Sequence, residues 1–110
     1  GEGTTLLESE APNYPYLIRM SNYDRVDIDK PIFRIGKEKS IVDYFIANNN
    51  AVSRLHADII NNAGSFYIRD NNSTNRTFVN GSMIDVNQEV QLFDGDAVML
   101  ANEAFEFHIS

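Results

Sequence analysis

The chain has 110 residues, 43% of them hydrophobic and none cysteine, with nine Lys and Arg against sixteen Asp and Glu for a net charge of −7. That length and apolar share suit one folded domain with its own core, and the missing cysteine removes disulfides, thiolate metal sites and cysteine nucleophiles together. The acid excess argues against nucleic acid as the main partner, because neutralising phosphates needs clustered cations, and no run approaches the roughly 20 apolar residues of a bilayer span, so no membrane contact is expected of this segment.

Gly1 to Pro15 holds Gly, Thr, Glu, Ser and two prolines with little periodicity. It reads as a flexible tail or linker, and 16–110 as the folded domain. From Tyr16 the pattern is strand after strand. Residues 16–20 form a first apolar run, closed by Ser21-Asn22, and 25–28 alternate polar and apolar before Asp29-Lys30-Pro31 turns the chain. Residues 32–35 alternate again and stop at Gly36, and 43–46 are short and aromatic-rich. Runs at 56–60 and 66–69 flank Asn61-Asn62-Ala63-Gly64, and runs at 78–79 and 83–84 flank Asn80-Gly81, both hairpin signals. Residues 90–92, 97–100 and 105–109 complete the series, with Asp94-Gly95-Asp96 as a turn. No window of about 12 residues keeps a helical period, so the many short strands predict an all-β sandwich or barrel.

Two polar connections interrupt the strands, at 47–55 and 70–77, both rich in Asn, Ser and Thr. Such side chains hydrogen-bond nearby backbone, and loops of this kind on a rigid sheet commonly carry binding residues. Ser53 and Thr74 supply hydroxyls, Arg54 a guanidinium, Lys37 a compact cation, and Asn75 an amide that both donates and accepts. A phosphate dianion wants several such donors converging, at least one of them charged. Lys37, Lys39, Arg54 and Arg76, four of the nine cations, fall in these loops of an otherwise acidic chain.

Four motifs occur in order: Gly36-Lys37; Ser53-Arg54-Leu55-His56; Asp70-Asn71-Asn72-Ser73-Thr74-Asn75-Arg76-Thr77-Phe78-Val79-Asn80-Gly81; and Leu92-Phe93-Asp94-Gly95-Asp96. In this succession the chain resembles the forkhead-associated (FHA) domains, over about Tyr16 to Ile109. The resemblance implies a β-sandwich of two antiparallel sheets with binding loops at one end. It implies a phosphothreonine recognition module, not an enzyme, with no cofactor or metal and with a phosphothreonine protein, a Ser/Thr kinase or its substrates as partner. The expected setting is the cytoplasm, or the cytoplasmic part of a larger protein.

By resemblance, Lys37, Ser53, Arg54 and Thr74 face phosphate, Asn75 holds the bound backbone, and Asn80 makes secondary ligand contacts. Gly36 serves the backbone geometry at the loop entrance and His56 braces the loops from behind, while Asp70, by its own chemistry, reads as ending its strand and capping the following loop in support of the site. Lys37 stands where the family usually has Arg, and lacks the planar fork that grips phosphate bidentately. Arg76 stands where Gly is usual. A left-handed backbone there costs a non-glycine residue roughly 1–2 kcal/mol; alternatively Arg76 returns a guanidinium to the binding face. The pair Thr4-Thr5 resembles the kinase-modified threonines ahead of the domain in some bacterial relatives, which implies regulation by the phosphorylated tail.

Rival chemistries are weaker. Ser53, His56 and Asp70 are triad residue types, but the serine lacks a Gly-x-Ser-x-Gly elbow. Asp94-Gly95-Asp96 lacks the spaced ligands and closing Glu of a calcium loop. His108 reads as an edge histidine, and the aromatics lie in strands rather than among cations. Two function classes stay open: phosphothreonine-dependent recognition, and a phosphorylation-independent interaction or structural module on the same fold.

Overall fold

Period-two alternation of apolar residues builds almost every element of the computed structural model, which describes residues 13–110. The strands are β1 (Tyr16–Arg19), β2 (Arg25–Asp27), β3 (Ile32–Gly36), β4 (Tyr44–Phe45), β5 (Ala57–Asn62), β6 (Ser65–Asp70), β7 (Thr77–Val79), β8 (Ser82–Met83), β9 (Glu89–Leu92), β10 (Ala97–Leu100) and β11 (Glu103–His108). They form a six-stranded sheet in the order β2-β1-β11-β10-β7-β8 and a five-stranded sheet in the order β4-β3-β5-β6-β9. The two-sheet all-β architecture expected from the sequence is the one observed. One pairing departs from the antiparallel rule: β4 runs parallel to β3, with Ile35 opposite Tyr44.

The inner faces meet in one core. Leu17, Ile35, Ile59, Ile68, Val98, Leu100 and Phe107 have no exposed surface, and Phe66 of one sheet lies 5.7 Å from Phe107 of the other, centroid to centroid. Burying each of these larger side chains stabilises the fold by about 1.5–3 kcal/mol. Among the described residues the first buried one is Pro15, which accepts the Ile28 N–H at 2.8 Å.

The hairpins close on two-residue turns. Asn80 and Gly81 join β7 to β8 at φ +49° and +84°, and Ala63 and Gly64 join β5 to β6 at φ +54° and +89°. Two consecutive positive φ values match the twist of the flanking strands. Asn61 Oδ1 accepts the Gly64 N–H at 3.0 Å, which holds the alanine in its unusual conformation. In the turn at 94–96, carboxylates satisfy backbone: Asp96 accepts Phe93 N–H and Asp94 accepts Ile109 N–H, each at 2.8 Å. Because neighbouring strands mostly alternate in direction, the end of β3, the β4–β5 and β6–β7 loops and the β10–β11 turn gather at one end of the sandwich.

Candidate phosphate-binding cleft

At that end lies an open cleft of about 310 Å³, lined by Lys37, residues 50–54, Thr74 and Asn75. Its floor is set by a close backbone approach. Lys37 N–H donates to the Ser53 carbonyl and Glu38 N–H to the Arg54 carbonyl, both at 3.1 Å. A Cβ on Gly36 would stand 2.0 Å from the Arg54 carbonyl oxygen. Glycine is required there by this contact; its φ is not positive.

Ser53 joins the two loops that wall the cleft. Its Oγ accepts the Thr74 N–H at 3.0 Å, which leaves its own O–H to donate to a ligand. Asn75 Nδ2 donates to the Ala51 carbonyl at 2.9 Å, leaving the amide oxygen as an acceptor for a peptide N–H. Lys37 and Arg54 line the same cleft, and among the described residues neither forms an ion pair with a carboxylate. Hydroxyl, cations and amide therefore converge on one opening, as phosphate requires.

His56 braces this arrangement from below. Fully buried, it accepts Ser53 N–H at Nδ1 (3.0 Å), so its proton sits on Nε2 and is donated to the Arg76 carbonyl at 2.9 Å. Burial holds its pKa below the ordinary value, against the opposing pull of that carbonyl and of Asp70. The ring is thus neutral, with both nitrogens committed to the two loops. Ser53 Oγ is engaged by Thr74 N–H, and no contact links it to the ring, which removes the triad geometry. Asp70, also fully buried, accepts the Ser73 N–H (3.0 Å), the Ser73 hydroxyl and the Thr77 hydroxyl (2.6 Å). Burial pushes its pKa upward, but these donors outweigh it and leave the carboxylate below its usual range.

Two expected ligand residues are placed elsewhere. Arg76 has φ +71°, so the left-handed strain is real. Its guanidinium donates to the Ile84 carbonyl at 2.6 Å and does not line the cleft. Asn80 donates to Asp96 at 3.0 Å and accepts the Ala97 N–H at 2.9 Å, stitching its hairpin to β10. Lys39 lies beside the Phe45 ring, 6.0 Å from its centroid. Thr4 and Thr5 lie outside the described residues.

Sequence reading missed a buried polar network next to the cleft. Arg19 of β1 and Glu103 of β11 form a two-bonded pair at 2.9 Å for each bond. Ser21 Oγ (2.7 Å) and Asn49 Nδ2 (3.0 Å) also donate to Glu103, whose carboxyl is drawn down to about 2, first by Arg19. The signal was available. Arg19 shares strand parity with Leu17, and Glu103 with Phe105 and Phe107, so alternation points both charges inward.

A larger hollow, about 560 Å³, opens at the other end among Tyr14, Ile28, Pro31 and Phe66. The one cation among its described lining residues, Lys30, is committed to Asp43 at 2.6 Å.

Fold and cleft together define a β-sandwich whose loops present a small donor-rich site. The profile of the FHA domain family matches residues 33–101, more than half of the chain. The chain belongs to the FHA domain family, whose members are recognition modules rather than enzymes. It is similar to Mycobacterium tuberculosis EmbR, solved in complex with a low-affinity phosphopeptide, at 26% identity and TM-score 0.82 over 99% of this chain and 29% of EmbR. It is similar to the FhaA FHA domain, solved with the intracellular domain of a second protein, at 25% identity and TM-score 0.76 over 86% of this chain and 99% of that one. A 50-residue stretch is 46% identical to an ABC transporter ATP-binding/permease protein of Mycobacterium tuberculosis, covering 46% of this chain and 5% of the transporter. The chain thus spans only a small part of the transporter and under a third of EmbR.

Proposed function

We propose that the domain binds phosphothreonine peptides in Ser/Thr kinase signalling, with Lys37, Ser53, Arg54 and Thr74 receiving the phosphate and Asn75 receiving the peptide backbone. The observation that carries this reading is the convergence of the Ser53 hydroxyl, two cations without carboxylate partners among the described residues, and the Asn75 amide on one open cleft. The phosphopeptide held by EmbR supports the same reading. Asn75 suits the backbone role because one of its two amide protons is fixed to Ala51, which orients the group, and its other proton and its oxygen are left for a peptide C=O and N–H.

The partner is accordingly a phosphothreonine protein, and the tail supplies one candidate of its own. Phosphorylated at Thr4 or Thr5, it competes for the cleft. Residues 6–13 extend about 26–29 Å at full stretch, against about 20 Å for the six-residue strands β5, β6 and β11. The test of the function is a degenerate peptide library with fixed phosphothreonine, phosphoserine or threonine. Enrichment confined to phosphothreonine supports the reading; equal capture of all three rejects it.

A further inference from the structure

Among the described residues, the side chain of Asn49 ties the loop that carries Ala51 and Ser53 to the opposite sheet by hydrogen bonds. Asn49 Oδ1 accepts the Ala51 N–H at 3.0 Å, while its Nδ2 donates to Glu103 Oε1 at 3.0 Å and to Asn102 Oδ1 at 2.9 Å. Ala51 in turn accepts the Asn75 amide, the group assigned to the bound backbone. Glu103 cannot yield, because Arg19 Nε and NH2 and the Ser21 hydroxyl occupy its remaining acceptor sites. Arg19 is itself held by the Tyr44 hydroxyl at 3.3 Å, and that hydroxyl donates to Asp24 at 3.0 Å. A continuous path of hydrogen bonds therefore runs from a buried ion pair between β1 and β11 to the cleft wall.

We infer that Asn49 and Glu103 are positioning residues for phosphopeptide recognition: the Asn49 amide, clamped on the Glu103 carboxylate, sets where Ala51 stands and hence how Asn75 is presented. This rests on the proposed function. The requirement is chemical as well as steric. Position 49 must accept from Ala51 and donate to Glu103 at once, which an amide does and a carboxylate of the same shape does not.

The test is Asn49→Asp, which keeps the acceptor for Ala51 and sets a second carboxylate against Glu103. Charged and titratable neighbours of that pair are Arg19 on β1, Tyr44 on β4 and, beyond the tyrosine, Asp24. Two carboxylates at this separation raise one apparent pKa, and a shared proton below it restores a donor. The probe is the tightest member of the phosphothreonine library. Because the phosphate also titrates near pH 6, the measured quantity is the ratio of variant to parent affinity at each pH. The ratio is expected to show about a tenfold loss at pH 8 and to narrow to within threefold at pH 5. A loss of equal size at every pH, or no loss, overturns the inference.

Should the parent bind phosphorylated and unphosphorylated peptide alike, the function fails, and the ligand-free protein decides the brace. Amide resonances of Ala51 and the Asn75 side chain that titrate in Asn49→Asp but not in the parent support it, and resonances indifferent to the substitution overturn it.

Discussion

Ser53 and Thr74, 21 residues apart in the chain, are joined by one hydrogen bond at 3.0 Å from the Thr74 N–H to the Ser53 hydroxyl oxygen. The bond engages the hydroxyl's oxygen as acceptor and leaves its proton available to whatever enters the cleft. Ser53→Ala removes both the loop tie and a donor to a charged ligand. Charge-assisted bonds contribute about 1.5–3 kcal/mol, so phosphopeptide affinity should fall tenfold or more. Calorimetric titration checks this.

Lys37 tests the charge of the cleft. Lys37→Ala should weaken phosphopeptide binding and flatten its dependence on salt, since a point charge acts through screened attraction. Lys37→Arg should bind at least as well as the parent, because a guanidinium adds a fork of donors. Affinities measured at two ionic strengths give both answers.

Arg76→Gly separates backbone strain from ligand contact. Glycine relieves a left-handed backbone worth roughly 1–2 kcal/mol, at the loss of the bond to the Ile84 carbonyl. With the guanidinium turned away from the cleft, affinity should stay within about twofold of the parent. A loss of tenfold would place Arg76 at the ligand after all.

The acid limb of stability follows from three groups. His56 has a depressed folded pKa, so its contribution is complete above the unfolded value near 6.5 and declines as pH falls toward the folded value. Glu103 and Asp70 are depressed carboxylates, whose contributions are complete above their unfolded values and lost as pH falls through the folded ones. For Glu103 that window runs from 4.5 down to about 2. His56→Ala should lower stability by about 1–3 kcal/mol at pH 7 through two orphaned loop bonds, and should remove the limb that begins near 6.5. Urea denaturation across pH measures both effects.

Alternation made the strands legible, because inner positions such as Phe66 and Ile68 differ so sharply from outer ones such as Tyr67 and Arg69. Turn chemistry did the same for Asn80-Gly81, whose paired positive φ values only a few residues accept readily. Ser53 and His56 took their roles from the family resemblance, because by residue type alone they and Asp70 also spell a catalytic triad. Side-chain direction was not legible. Arg76 and Ser53 both sit in polar loops, and only the third dimension sends one to Ile84 and the other to the cleft. The Arg19–Glu103 pair joins residues 84 apart, and parity marks each as inward without saying that they meet.

The most direct measurement is a titration of one peptide in phosphothreonine and threonine forms, followed by backbone amide shifts. Two or more charge-assisted bonds at about 1.5–3 kcal/mol each require the phosphorylated form to bind about 100-fold tighter or better. Shifts should concentrate at Lys37, Ser53, Arg54, Thr74 and Asn75. Equal affinity for the two forms, or shifts that avoid these residues, would contradict the account.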